Sequence, residues 1–239
     1  MSEMVPVPER GRVFTDERRA RLGDVTATGR TRTDALARWL QDVAYDDVAE
    51  AGLADAGVWV VRRLRIVVAR FPRFDERVTL RTFCSGVGPR WAQRRTSIEG
   101  AGGARVEADA LWIFLDPATQ QPARLDERFD AVYGEAAAGR RADRARVRHG
   151  NPHPDLPRFD WRFRAADVDL ADHVNNAAYW TVLEERLAAL GADPPSLDAE
   201  IEYRDAAQPG PVRVAHDEDT LWITSGDGVV HASILVRER

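Results

Sequence analysis

The sequence predicts an α+β chain of two tandem units, each a long helix wrapped by an antiparallel β-sheet. Three observations carry this expectation. First, setting Arg21–Gln41 against Arg164–Glu184, an offset of 143, aligns Asp24-Val25 with Asp167-Val168, Ala27 with Leu170, Leu36 with Tyr179 and Leu40 with Leu183. Second, each aligned stretch passes from a strand-like start through a polar loop into an apolar run of helical period. Third, each helix is followed by several short β-type segments. A period this long excludes a solenoid and reads as a duplicated domain pair.

The elements follow in order. Leu36, Trp39/Leu40, Val43/Ala44 and Val48 recur at i, i+3/4 spacing and predict a helix over 33–50, capped by Thr31 or Thr33 and stopped at Gly52. Strands are expected over 58–71, 77–85, 90–99 and 104–115, with hairpin turns at Gly86-Val87-Gly88 and Gly100–Gly103. Gly134–Arg158 is rich in Ala, Gly, Arg and Pro, contains Asn151-Pro152-His153-Pro154, and reads as a linker. The expected units are therefore 1–133 and 159–239, joined by 134–158. In the second unit, Tyr179, Leu183, Arg186/Leu187 and Leu190 predict a helix over 176–190 ending at Gly191, followed by strands at 199–204, 212–216, 220–224 and 229–236.

Composition narrows the function. A chain of 239 residues, 44% hydrophobic, suits two domains of about 110 residues. No apolar run approaches the ~20 residues that span a bilayer, so no membrane contact is expected. Met1–Arg12 is polar and lacks an apolar signal region. Cys84 stands alone, which excludes an internal disulfide and a cysteine-based zinc site, fits a reducing cytoplasm, and reads as a small buried residue. Five histidines show no metal-ligand spacing, and no glycine loop follows a strand to cradle phosphate, so neither metal nor cofactor is expected. Tryptophan and arginine interleave at Trp59, Arg62/Arg63, Arg90/Trp91 and Arg94/Arg95, yet the net charge of −5 and the strand context argue against nucleic acid. All 34 basic residues are arginine, a compositional bias. Residues 134–158 carry 6 Arg against 3 Asp+Glu, whereas 159–239 carry 7 against 16. The basic segment reads either as a face for an acidic partner or as a solvated tether.

Chemistry concentrates in Asp167–Asn176, the loop entering the second helix. Free backbone N–H groups and the positive end of the helix dipole gather there, where a carbonyl oxygen turning negative would be stabilised. Asp169, His173, Asn175 and Asn176 are the candidate catalytic residues. The plain alternative is an N-cap by Asn175 or Asn176 beside a satisfied loop histidine.

A duplicated helix-and-sheet unit resembles the hot-dog fold in its double form. His173-Val174-Asn175-Asn176 preceded by Asp169 resembles the signature loop of the acyl-[acyl-carrier-protein] thioesterases, and Ile201-Glu202-Tyr203-Arg204 the strand that follows it there. Leu36–Asp47, Trp59–Arg63, Thr82–Gly86 and Leu111–Ile113 also fit that family's pattern, so the resemblance covers roughly residues 13–237. In the plant branch, an asparagine regarded as catalytic lies two residues before the histidine, and a Glu-Cys pair follows the Glu-Tyr-Arg strand. Here those positions hold Ala171, Ala206 and Ala207, so only Asp169 and His173 carry over. The resemblance implies hydrolysis of a fatty acyl thioester, with acyl carrier protein as the partner that delivers it. In the mechanism expected, Asp169 acts as base or nucleophile, His173 orients water or carbonyl, and N–H groups near Asn175 and Asn176 hold the oxyanion. Asp172 is the alternative carboxylate. The first unit lacks this acid and histidine, so its expected role is the acyl pocket, walled by Trp39, Val43, Trp59 and Val61. An acyl-CoA thioesterase, a hot-dog hydratase or dehydratase, and a non-catalytic acyl-thioester binder share these residues as alternatives. Either a monomer or a homodimer fits them.

Overall fold

Asp24 and Asp167 build the same turn twice. The Arg21 N–H donates to Asp24 Oδ2 at 3.0 Å and the Asp24 N–H to the Arg21 carbonyl at 2.9 Å. The Arg164 N–H donates to Asp167 Oδ2 at 2.7 Å and the Asp167 N–H to the Arg164 carbonyl at 3.0 Å. Each turn opens into a tight hairpin. In the first, Thr26 N–H bonds the Arg30 carbonyl and Arg32 N–H the Asp24 carbonyl, both at 2.8 Å. In the second, Asp169 N–H bonds the His173 carbonyl at 3.1 Å and Asn175 N–H the Asp167 carbonyl at 2.8 Å. The fourth residue of each hairpin is left-handed: Gly29 at φ +81° and Asp172 at φ +58°. Glycine adopts that conformation freely, and aspartate is among the few other residues that tolerate it. The offset of 143 is therefore a geometric repeat as well as a sequence one.

The computed structural model describes residues 4–237; 1–3 and 238–239, the outer ends of the two expected units, lie outside the described residues. The first unit runs β1 (Phe14–Arg19), α1 (Thr33–Glu50), β2 (Val58–Arg70), β3 (Arg77–Val87), β4 (Trp91–Gly100), β5 (Arg105–Leu115) and α2 (Glu127–Ala137). The second runs β6 (Arg158–Phe163), a 3-10 turn (Asn176–Tyr179) leading into α3 (Trp180–Ala189), then β7 (Leu197–Tyr203), β8 (Gly210–His216), β9 (Thr220–Thr224) and β10 (Val230–Arg237). All strands join one antiparallel sheet in the order β1-β3-β4-β5-β2-β7-β10-β9-β8-β6. That order is the same five-strand unit written forwards and then backwards. β2 and β7 meet at its centre, with Leu64 opposite Ile201 and Ile66 opposite Ala199. One continuous core fills the concave side, joining Leu36, Trp39, Leu40 and Val43 of α1 to Trp180 and Leu183 of α3 and to Ile66, Ile98, Ile201 and Ile234 of the sheet. Burying each large apolar side chain contributes about 1.5–3 kcal/mol.

Two features were not anticipated by pattern. α2 spans the end of the expected first unit, where no element is predicted, and the start of the expected linker; the expected boundary at 134 falls inside it. Its signals were present: Asp126 caps it through the Phe129 N–H at 3.0 Å, and Phe129, Tyr133, Ala136 and Ala137 form a buried stripe. Alanine and glycine richness masked that periodicity. The chain beyond α2 crosses the outer face of the sheet near its centre. There the N–H groups of Arg148 and His149 donate to the Glu202 carboxylate at 2.8 and 3.0 Å, and the His149 ring contacts Ser233 Oγ at 3.0 Å and Glu200 Oε1 at 3.3 Å. Burial alone would push Glu200 up. The hydrogen bond with His149 and the charges of Arg237 and Arg63 outweigh burial and hold its carboxyl at about 2. Among the described residues, no helix is long and apolar enough to cross a membrane.

The two helices are locked by one cation. Arg30, 2% exposed, donates through Nη2 to Glu184 Oε2 at 2.7 Å and through Nε to Asp193 Oδ1 at 2.6 Å, with its guanidinium 4.7 Å over the Phe71 ring. Glu184 Oε1 also accepts the Thr33 N–H at 2.6 Å. Neither Thr31 nor Thr33 caps α1, because a carboxylate from the opposite helix has taken that place. Arg30→Leu strands Glu184 and reopens the α1 terminus. It should cost about 3–5 kcal/mol, a fall in Tm of roughly 6–20 °C, and Arg30→Leu with Glu184→Leu should recover much of it. Thermal denaturation of the three proteins measures this.

Candidate active site

The second hairpin aims its polar groups into a cavity of about 920 Å³ lying between the two units. That is within the usual range for a small-molecule site. Asp169, His173 and Asn176 line it. Ala171, Leu170 and Ala206 stand on the same wall, so two of the positions where the plant branch carries polar groups present methyls to the cavity. Ala207 is buried, and its carbonyl accepts the Val174 N–H at 2.9 Å. Asp172 points elsewhere: it is exposed and absent from the cavity wall.

Asp169 is held by two donors. The Ala171 N–H reaches Oδ1 at 2.9 Å and the Asn175 Nδ2 reaches Oδ2 at 2.8 Å. Together they fix the plane of the carboxylate. Asn175 works in two directions, since its Oδ1 also accepts the Ala177 N–H at 2.8 Å as the cap of the helical turn. Its amide thus ties carboxylate to helix start, and it does not itself line the cavity. His173 Nδ1 lies 3.3 Å from the Val174 carbonyl, which leaves the ring's other nitrogen for the cavity.

The helix start is open. Among the described residues nothing accepts the Asn176 N–H, the first of the helical turn. Its position is fixed from behind: Tyr203 OH donates to the Asn176 carbonyl at 2.9 Å and accepts the Trp180 Nε1–H at 3.1 Å. Burial pushes the Tyr203 hydroxyl strongly up, and Tyr179, whose hydroxyl accepts the Ala207 N–H at 3.0 Å, is pushed up to about 12. Both therefore remain neutral hydrogen-bonding struts at any physiological pH.

The first unit supplies most of the apolar lining. Trp59, Val61, Ala92, Ile113 and Phe129 line the cavity, with Cys84 among them. Burial pushes the Cys84 thiol up to about 11, so it is a small apolar wall group and no nucleophile. Of the expected pocket residues, Trp59 and Val61 face the cavity. Trp39 and Val43 lie in the packed core, because the stripe of α1 that holds them faces the sheet while Gln41, Tyr45 and Val48 face the cavity. Sequence reasoning missed Gln41 and Phe129. Phe129 stands on α2, most of which lies in a stretch where the sequence pattern predicts no element; Gln41 sits among the polar residues of a helix and has no pattern of its own. Behind the wall, Asp47 is wholly buried between Arg12 at 2.5 Å, Arg94 at 2.6 Å and the Tyr133 hydroxyl at 2.9 Å, joining α1, β4 and α2.

Known proteins resemble the chain in both sequence and fold. The acyl-ACP thioesterase N-terminal domain matches residues 11–133, and the acyl-ACP thioesterase C-terminal domain matches residues 155–217. An uncharacterised protein of Mycobacterium tuberculosis strain H37Rv is 28% identical over 98% of this chain and 96% of its own length. A chloroplastic acyl-[acyl-carrier-protein] hydrolase of Cuphea viscosissima is 22% identical over 72% of this chain and 47% of its own. Among solved structures, an acyl-ACP thioesterase from Bacteroides thetaiotaomicron superposes with a TM-score of 0.76 at 17% identity, covering 94% of this chain and 96% of that one. The 12:0-ACP thioesterase of Umbellularia californica gives 0.75 at 17% identity, over 97% and 99%. With both halves matched in chain order on a double hot-dog frame, the chain belongs to the acyl-ACP thioesterase family of thioester hydrolases.

Proposed function

We propose that the family's reaction, hydrolysis of a fatty acyl thioester, runs in this chain at the Asp169–Asn176 loop and uses acyl carrier protein as the preferred acyl donor. One observation carries the assignment of the site: a fixed carboxylate, a histidine and an open helix-start N–H face the same large, mostly apolar cavity. The acyl chain lies along Trp59, Val61 and Phe129. The thioester carbonyl points at the Asn176 N–H, and Asp169 takes a proton from water as its oxygen attacks the carbonyl carbon. His173 orients that water. The tetrahedral adduct then collapses, the C–S bond breaks, and the proton held by Asp169 passes to the departing thiolate. Fatty acid and carrier thiol are released. A base in this role supplies ~10²–10⁴-fold and an oxyanion donor ~10²–10³-fold. The reducing cytoplasm read from the lone cysteine is the proposed compartment.

Among the described residues there is one such site. At the matching place in the first unit, Thr26 replaces the acid and Arg30 the histidine, and the helix start is closed by Glu184.

Asp169→Asn should lower kcat by at least ~10²-fold while Asp172→Asn stays within about threefold, both read by thiol release from an acyl-carrier-protein substrate. The reverse ranking would identify Asp172 as the base.

The choice of carrier protein over CoA rests on charge. Arg141, Arg144 and Arg146 of the connecting segment are exposed, whereas Arg140 is tied to the Ser85 and Ala136 carbonyls. An acidic partner would be steered to this side. The ratio of kcat/KM for acyl carrier protein over acyl-CoA should exceed one and shrink as salt rises to about 0.5 M. Arg141→Glu with Arg144→Glu should shrink it at low salt while kcat holds. A ratio unmoved by salt and by the variants would make acyl-CoA an equal substrate.

A further inference from the structure

The duplication lets the closed copy of the site instruct the open one. Under the offset of 143, Arg30, Thr33 and Glu184 correspond to His173, Asn176 and Gln41, with the helices exchanged. In the closed copy, Glu184 of α3 reaches across to the start of α1. One of its oxygens accepts the Thr33 N–H at 2.6 Å, and both contact the Arg30 guanidinium, at 3.2 and 2.7 Å. A negatively charged oxygen is thus already seated on a helix-start N–H, built from the same hairpin by the same turn. In the open copy, Gln41 of α1 holds the reciprocal place opposite Asn176. Gln41, His173 and Asn176 line the same cavity, and Gln41 and Asn176 also line a side pocket of about 20 Å³, room for about one water. Among the described residues, neither the Gln41 amide nor the Asn176 N–H has a hydrogen-bond partner.

We infer that Gln41 is a catalytic residue from the first unit: its Nε2–H donates to the thioester carbonyl oxygen, so that the oxyanion is held jointly by Gln41 and the Asn176 N–H. The inference rests on the reading of the site given above. Its chemical logic lies in the contrast with Glu184. A carboxylate at this place would occupy the N–H itself and repel a second negative oxygen, which is what keeps the other copy closed. A neutral amide of the same length leaves the N–H free and offers a donor of its own. Side-chain amides and backbone N–H groups are the usual donors of such a pair, and removing one costs ~10²–10³-fold in rate. The first unit would then contribute to the chemistry, beyond walling the acyl chain.

The test compares wild type, Gln41→Ala and Gln41→Glu by thiol release from one acyl-carrier-protein substrate, with thermal denaturation alongside. Gln41→Ala should lower kcat and kcat/KM together by ~10²–10³-fold with KM within about threefold, the pattern of a contact made in the transition state. Gln41→Glu should lose at least as much, and should raise Tm above that of Gln41→Ala by rebuilding on Asn176 the cap that Glu184 makes on Thr33. Wild-type turnover with Gln41→Ala within threefold in kcat, or with a rise in KM alone, overturns the role of Gln41 and leaves the thioesterase reading standing. Absence of thiol release by the wild type on both carrier-protein and CoA substrates overturns both.

Discussion

The pairing of β2 with β7 governs the rest of the molecule. Antiparallel registration of these two central strands sets Leu64 against Ile201 and makes the two halves face each other about a pseudo-two-fold axis. Joined along this seam, the units share one core and lay α1 beside α3 in opposite senses. Each helix start therefore meets the middle of the other helix, and the open site and its closed counterpart are both products of that geometry. The segment crossing the outer face, clamped by Glu202, Glu200 and Ser233 on His149 and its neighbour, covers the back of the same seam.

One backbone plan serves two ends. At one, Arg30, held by Glu184 and Asp193, fills the space before the helix start with buried charge; at the other, the corresponding His173 and Gln41 line the cavity. A buried ion pair is poor evidence of net stability but strongly specifies geometry, since either partner left alone is costly. Here it fixes how α1 and α3 slide past each other. That in turn fixes the distance across the open site. The closed copy thus acts as the structural anchor for the open one.

The cavity depends on a second set of buried charges, one of which, Arg94, stands in its wall. Asp47, with no exposure, draws Arg12 from the N-terminal segment, Arg94 from β4 and Tyr133 from α2 onto the end of α1. This brings α2 over the cavity, where the Phe129 and Trp59 rings meet at a tilt, 5.4 Å between centroids, and complete the apolar wall. The cavity is thus shaped by a polar cluster packed against its wall.

The sequence by itself determined the duplication, the two long helices, the strands that follow each of them, and the loop holding Asp169 and His173. These are local properties: apolar period, glycine stops and a polar cluster ahead of a helix are written in neighbouring residues. It also implied, through the matched motif, the thioesterase family. What only the tertiary structure decided are relations between residues far apart in the chain. Trp39 and Val43 share α1 with Gln41 and Tyr45, yet the first pair faces the sheet and the second the cavity, because the opposing unit sets which stripe stays open. Thr33 needs no cap of its own because Glu184, 151 residues away, arrives there in space. Asn175 looked like a candidate donor to substrate, but the folded hairpin spends its amide on Asp169 and the helix turn. Periodicity records how a segment meets a core; it carries no record of which distant side chain completes a charge or an open N–H, and that completion defines the site.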